Sequence, residues 1–202
     1  GLRVGAARGG GVGEVDAGIS LLAARATLSG GVPSGLEEAL GLSTGRWRLS
    51  ARRSYVDQIL RPVTELPYHI YDLQGVFEAW TPGGSRWTVT GYRGADVLDL
   101  GRIDADDFPL RIYWEWGNSM VGTRWLRALD GGGQLEARTG ITRFETELRF
   151  EDFDDSRFRS RIDQVTLGAG WRAPVGVGWN LDAGVAADYY DWTNLAATGG
   201  TV

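Results

Sequence analysis

The sequence predicts an all-β protein, an antiparallel transmembrane β-barrel present as an open partial barrel of about nine strands, on three observations. Three very short turn-rich links, Thr81-Pro82-Gly83-Gly84, Asp130-Gly131-Gly132-Gly133 and Pro174-Val175-Gly176-Val177-Gly178, recur about 45 residues apart, each flanked by long alternating segments. Between them run longer, acidic, irregular stretches: Leu60 to Pro67, Gly101 to Trp116 and Glu151 to Ser156. Tight turns on one side and long loops on the other are how outer-membrane barrels arrange their connections. Tryptophan, finally, gathers near the tight turns.

Composition narrows the class. Only 43% of the 202 residues are hydrophobic and mean hydropathy is -0.20, with no apolar run near the ~20 residues of a membrane-crossing helix. A membrane reading must therefore be a barrel one. The 31 glycines and 9 tryptophans are the outliers; both suit a barrel, glycine by relieving crowding and tryptophan by sitting at lipid head groups. With no cysteine, a disulfide framework and a Cys-based metal or redox centre are excluded. All 21 basic residues are arginine, and a net charge of -5 with no basic stripe argues against nucleic-acid binding.

The elements follow in order. Gly13 to Ile19 and Ala24 to Ser29 read as a first hairpin with its turn near Ser20 to Ala23. A polar link from Gly30 to Gly45 holds one helical turn at Glu37 to Leu40. From Arg46 the period is two: Trp47, Leu49 and Ala51 oppose Arg46, Arg48, Ser50 and Arg52. In Tyr68 to Trp80, the set Tyr71, Leu73, Gly75, Phe77 and Ala79 opposes Asp72, Gln74, Val76 and Glu78. The pattern repeats with Trp87 and Val89 against Arg86, Thr88 and Thr90, and with Leu135, Ala137, Thr139 and Ile141 against Gln134, Glu136 and Arg138. It returns in Val165 to Trp171 and Trp179 to Ala187. Asn118 to Leu129 alternates less cleanly, with Val121, Thr123 and Trp125 assigned outward. Alternation alone suits any half-buried antiparallel sheet. Segments of ~10 to 14 residues, longer than the usual ~5 to 6, favour tilted spanning strands of at least ~9 to 11.

Trp47, Trp80, Trp87, Trp125, Trp171 and Trp179 lie within a few residues of a turn-side strand end and form a candidate aromatic girdle. Ordinary core tryptophans are the alternative.

One stretch carries a resemblance. Arg46 to Leu100 reads RWRLSARRSYVDQIL, then LPYHIYDLQGVFEAW, TPGGSRW and TVTGYRGADVLDL. In that order it resembles the early barrel of TonB-dependent outer-membrane receptors. Trp116-Gly117-Asn118 leading to Arg124-Trp125 looks like the family's next down-strand, and Gly13 to Gly31 is similar to its first hairpin. The resemblance implies residues 1–12 as the end of a plug and its linker, and 13–202 as the N-terminal part of a plugged barrel of roughly 22 strands. The chain is thus expected to be an internal piece of a longer one, in the outer membrane of a Gram-negative bacterium. His69 departs from the family pattern, where a larger aromatic is expected.

Catalysis and metal binding find little to stand on. His69 is the only histidine and sits beside Pro67 and Tyr68, where a hydroxyl such as Ser54 approaches, but no nucleophile motif accompanies it. Asp104, Asp106 and Asp107, and Asp152, Asp154 and Asp155, lack the spacing of a calcium loop and read as solvated loop acids. No catalytic, metal or cofactor residue is expected. Arg46, Arg48 and Arg52 near Asp72 and Glu78, with Arg86, Glu136 and Arg138, are candidates for a lumen-facing, cross-strand-paired wall that holds the plug. Tyr113, Trp114, Trp116, Tyr189, Tyr190 and Trp192 are read as loop aromatics, either capturing ligand or forming an upper girdle.

The function expected from the resemblance is energy-coupled import of a scarce large solute: siderophore, cobalamin, metal chelate or glycan. Its partners are the TonB inner-membrane complex, reached through the plug region, outer-membrane lipid and the ligand; no enzyme activity is expected. A passive porin or barrel enzyme, and a soluble antiparallel β binding domain, are the alternatives.

Overall fold

In the computed structural model residues 2–8, 11–60, 67–103 and 110–198 are described, and they build one antiparallel sheet of ten strands in chain order. The strands are β1 Leu2–Arg8, β2 Gly11–Ile19, β3 Ala23–Gly31, β4 Thr44–Ser54, β5 Tyr68–Trp80, β6 Ser85–Asp99, β7 Ile112–Ala128, β8 Gln134–Phe150, β9 Ser156–Pro174 and β10 Asn180–Ala197. Two short helices, α1 Ser34–Ala39 and α2 Val56–Leu60, and a 3-10 turn at Leu100–Arg102 are the only other elements among the described residues. The sheet is not closed.

The strand count is ten where the alternation predicts about nine. Leu2–Arg8, expected to lie ahead of the barrel, pairs in register with β2 from Leu2↔Ala17 to Arg8↔Gly11. β5 spans Tyr68–Trp80 as expected, and from β6 onward the strands run further than the alternation suggests. β7 and β8 have 17 residues and β9 has 19, and β7 takes the end of the expected Gly101 to Trp116 loop, from Ile112 on, into strand.

Longer strands shorten the loops and blur the expected asymmetry. Phe150 and Ser156 face each other across a short acidic turn in which Asp154 and Asp155 take positive φ. On the opposite side, β3 and β4 are joined by a connection long enough to hold α1. It is pinned by Val32 N–H donating to Gly45 O at 2.9 Å and by Gly45 N–H donating to a Glu37 carboxylate oxygen at 2.8 Å.

The three glycine turns behave as their composition demands. Gly84, Gly131, Gly132, Gly176 and Gly178 all have φ between +71 and +83, where a Cβ meets the following carbonyl. At Gly131 no atom lies within 4 Å of the point to which a Cβ would project, so the cost of a side chain there is purely backbone. Gly131→Ala is expected to destabilise the sheet by about 1–2 kcal/mol, read as a lower temperature for loss of the folded band in a gel heat-shift series.

A one-layer sheet has almost no interior. Among the described residues, glycines aside, only Val32, Ala79, Ala95, Val97 and Ser85 are buried, and no large side chain is fully enclosed. The exposed surface is 13977 Å², about one and a half times the ~9,300 Å² of a compact monomer of this mass. What covers the sheet must be sought on its two faces.

Candidate functional site: a sheet whose two faces exchange polarity

Because side chains alternate along a strand and directly paired residues share a side, the unbroken register assigns every strand residue to one of two faces. One row runs Val15, Leu28, Leu49, Gly75, Gly91, Val121, Ile141, Val165, Tyr189 across β2 to β10. It is apolar and open: Val121 is 60% and Ile141 59% exposed. Toward the tight turns this face stays apolar, with Thr123, Ala137, Leu167, Ala169 and Val185 lining a shallow trough of about 610 Å³ beside Trp87 and Trp125.

Toward the long loops the same face becomes charged. The next row in β6 to β10 is Arg93, Ser119, Arg143, Asp163, Asp191. Beyond it stand Glu145 and Arg161, then Glu115, Glu147 and Arg159, then Tyr113, Arg149 and Arg157. These are cross-linked: Arg143 Nε and Arg161 Nε reach Asp163 at 2.6 and 3.1 Å, and Arg149 Nε and Arg159 both donate to Glu147.

The opposite face does the reverse. Near the tight turns it carries Arg46 Nε on Glu78 at 2.6 Å, Arg124 forked on Glu136 at 3.0 and 2.8 Å, and Arg172 on Asp182, while one further pair, Arg52 Nε on Asp72 at 2.6 Å, lies on the loop side of the apolar row. Thr166 Oγ1 and Gln164 Nε2 donate to Asp188 at 2.6 and 3.0 Å. Toward the loops this face turns aromatic. Trp116 sits 4.5 Å from Trp114 and 6.3 Å from Tyr68, centroid to centroid. Tyr68 Oη donates to Asp96 at 2.6 Å and Trp114 Nε1 to Thr146 at 3.0 Å, which fixes both rings. Phe144, Leu148, Phe158, Ile162 and Trp192 continue the wall on β8 to β10.

All eight charged candidates, Arg46, Arg48, Arg52, Asp72, Glu78, Arg86, Glu136 and Arg138, share the ion-paired face. Arg46 and Arg52 find the expected carboxylates, whereas Arg48 stands opposite Val76 and Arg138 lies over Gly168. Of the girdle residues, Trp47, Trp87, Trp125 and Trp171 belong to the apolar face. Trp80 does not: it pairs with Arg86 on the ion-paired face, and the Arg46 guanidinium lies 5.1 Å from its ring. Trp179 is in the β9–β10 turn and 76% exposed.

The aromatics expected in loops are in strands instead. Trp114 and Trp116 lie in β7, and Tyr189, Tyr190 and Trp192 in β10. Trp114, Trp116, Tyr190 and Trp192 share the aromatic wall, but Tyr113 and Tyr189 are on the other face, Tyr113 under the Arg149 guanidinium at 4.7 Å. Ser54 Oγ accepts Ile70 N–H at 2.8 Å, and the His69 ring packs on Tyr71 at 6.4 Å. Asp152 accepts Arg111 N–H at 2.5 Å; Asp104, Asp106 and Asp107 fall outside the described residues. Among the described residues no metal-ligating group of three or more acids or histidine is gathered.

The residues that carry the family resemblance touch one another. Arg52 of the Arg-Arg-Ser-Tyr strand end pairs with Asp72 of the next strand, and Tyr68 bridges to Asp96 and Trp116. Tyr55 closes the first hairpin, its amide donating to Leu22 O at 3.0 Å and its hydroxyl to Ser20 O.

The turn-side tryptophans also drift steadily. Measured from the apolar row, Trp47 lies two residues from Leu49, Trp87 four from Gly91, Trp125 four from Val121 and Trp171 six from Val165. From β4 to β9 that is about 0.8 residue per strand, or ~2.7 Å against ~4.8 Å between strands. A line through these rings crosses strands tilted by about 30°, near the ~35–45° of closed barrels.

No family model matches this chain, and no curated protein matches it significantly.

Proposed function

We propose that this chain is part of the wall of a TonB-dependent outer-membrane receptor, which imports a scarce large solute by energy-coupled rearrangement of a plug inside the barrel. The exchange of polarity along both faces carries the reading. A wall that only crossed a bilayer needs one apolar and one polar face. A wall that also rises beyond the bilayer needs its outer face to become polar there, and its inner face is then free to meet a ligand.

The dimensions agree. On β9 and β10 the apolar stretches Val165 to Ala173 and Leu181 to Tyr189 cover about nine residues, ~30 Å of strand and ~22–27 Å of height at the tilts above. The outward band of such barrels is ~25 Å tall. Trp47, Trp87, Trp125 and Trp171 then mark the periplasmic interface, and the aromatic wall around Trp116 faces the lumen near the external mouth. Single Trp and Tyr rings on a rigid wall stack on planar or apolar parts of a solute at little entropic cost.

The ion-paired half of the inner face is what a plug would lie against. Arg46→Ala with Arg52→Ala is expected to leave barrel stability within about 1 kcal/mol, since exposed pairs contribute little. Plug release in denaturant should move to lower concentration, measured by protease access to the plug. Unchanged plug release and transport would remove these arginines from the interface.

The test of the whole reading is expression of the full parent gene in cells with and without TonB. A heat-modifiable outer-membrane species whose solute uptake is lost without TonB supports it. Uptake independent of TonB makes it a passive barrel, and a species recovered from the soluble fraction overturns the membrane reading altogether.

A further inference from the structure

The charged half of the outward face contains a groove that the ion-pair ladder does not use up. Its floor is small: Ala95 is 7% exposed, and Gly117 lies so close to β6 that a Cβ there would meet Gly94 O at 2.6 Å. Around this floor stand Arg93, Arg143 and Arg159 together with the carboxylates Glu115, Glu145 and Glu147, bounding about 370 Å³. The neighbours of the groove are largely committed. Arg159 is held by Glu147, and Arg143 gives its Nε to Asp163, its terminal amino groups making no hydrogen bond among the described residues. Arg93 is exposed and has no acidic partner among the described residues.

Arg93, Ser119 and Arg143 are directly paired neighbours on three adjacent strands. Two guanidinium groups with a hydroxyl between them present donors to a tetrahedral anion, and guanidinium suits phosphate by its forked geometry. The position along the strand supplies the second half of the argument. Each member lies just two residues beyond Gly91, Val121 and Ile141 of the apolar row, ~7 Å along the strand. If the apolar band meets hydrocarbon, this row is the first charged one beyond it on the loop side, from which arginine side chains reach up toward the head groups.

We infer that Arg93, Ser119 and Arg143 form a seat for the phosphate of an outer-leaflet lipid head group, with the small floor of Ala95 and Gly117 letting the head group lie against the wall. The inference rests on the outer-membrane reading above. Arg93 is the residue to probe, because removing it breaks no ion pair, whereas removing Arg143 takes a partner from Asp163.

The experiment uses the full barrel purified in detergent and native mass spectrometry, with lipid A carrying its phosphates and lipid A stripped of them as probes. The wild-type barrel is expected to retain the phosphorylated lipid, and Arg93→Gln to weaken retention at least ~10-fold, the range of a charge-assisted hydrogen bond. Arg46→Gln, on the opposite face, serves as the control and retains it unchanged. Equal retention of both lipids, or no difference between Arg93→Gln and wild type, overturns the seat while leaving the barrel intact. A protein that never yields a heat-modifiable, membrane-inserted species overturns the outer-membrane reading and the seat together.

Discussion

Ile141→Arg is expected to abolish assembly of the wall in the membrane, while Thr142→Arg, one residue along the same strand, leaves it intact. Ile141 sits in the middle of the apolar row, between Val121 and Val165 and 59% exposed. An arginine facing hydrocarbon on an outer-membrane barrel costs up to about 2–4 kcal/mol, enough to lower the folding equilibrium constant ~30-fold or more. Thr142 faces the other way, opposite Met120 and Gln164, where a substitution open to water costs within about 0.5 kcal/mol. The measurement is the heat-shifted folded band in isolated outer membranes. The contrast is informative because Ile141 touches so little protein: were this face bathed in water, Ile141→Arg would be neutral or would raise solubility.

Trp116→Ala is expected to be the most damaging single change for solute binding. Trp116 is the centre of the aromatic wall, with Trp114 on one side and Tyr68 on the other. Truncating a central aromatic anchor typically costs about 2 kcal/mol of binding, or ~30-fold in Kd. The receptor should still assemble, since Trp116 is half-buried on a face with no packed core. Equilibrium binding of ferric siderophore, cobalamin and oligosaccharide probes to the parent receptor, with Tyr113→Ala as a comparison from the outward face, reads the effect. Equal losses in both variants, or none in Trp116→Ala, would place ligand capture elsewhere.

The period-two pattern and the glycine turns are sufficient to find strands β2 to β10, because both depend on local chemistry: alternation on a pleated ribbon and positive φ at the turns. Faces are legible only in the turn-side halves, where Leu135 to Ile141 or Leu181 to Ala187 alternate against polar residues. In the loop-side halves the alternation persists but its sense is inverted, with Trp114 and Trp116 on the side that carries Arg124 lower down. A strand whose phase inverts looks like a strand that has ended, which is why the sequence alone assigns these tryptophans to a loop. Asn118 to Leu129 looks irregular because the change of sense falls between Ser119 and Val121. Trp80 is on the unexpected face for a simpler reason: nearness to a turn says nothing about parity. Lateral neighbours such as Tyr68 with Trp116, or Arg93 with Arg143, lie on strands separated by one other strand, and only the register brings them together.

Each strand of this sheet pairs only with the strands immediately before and after it in the chain. Such a meander has no crossover and no contact that must wait for a distant segment, so the entropic penalty of closing large loops is absent. The wall can therefore grow by successive hairpins, each docking on the open edge left by the one before. A lesion that stops one strand halts growth at that edge and leaves the strands already laid down competent to continue, which makes the order of synthesis, rather than the overall topology, the natural clock of assembly.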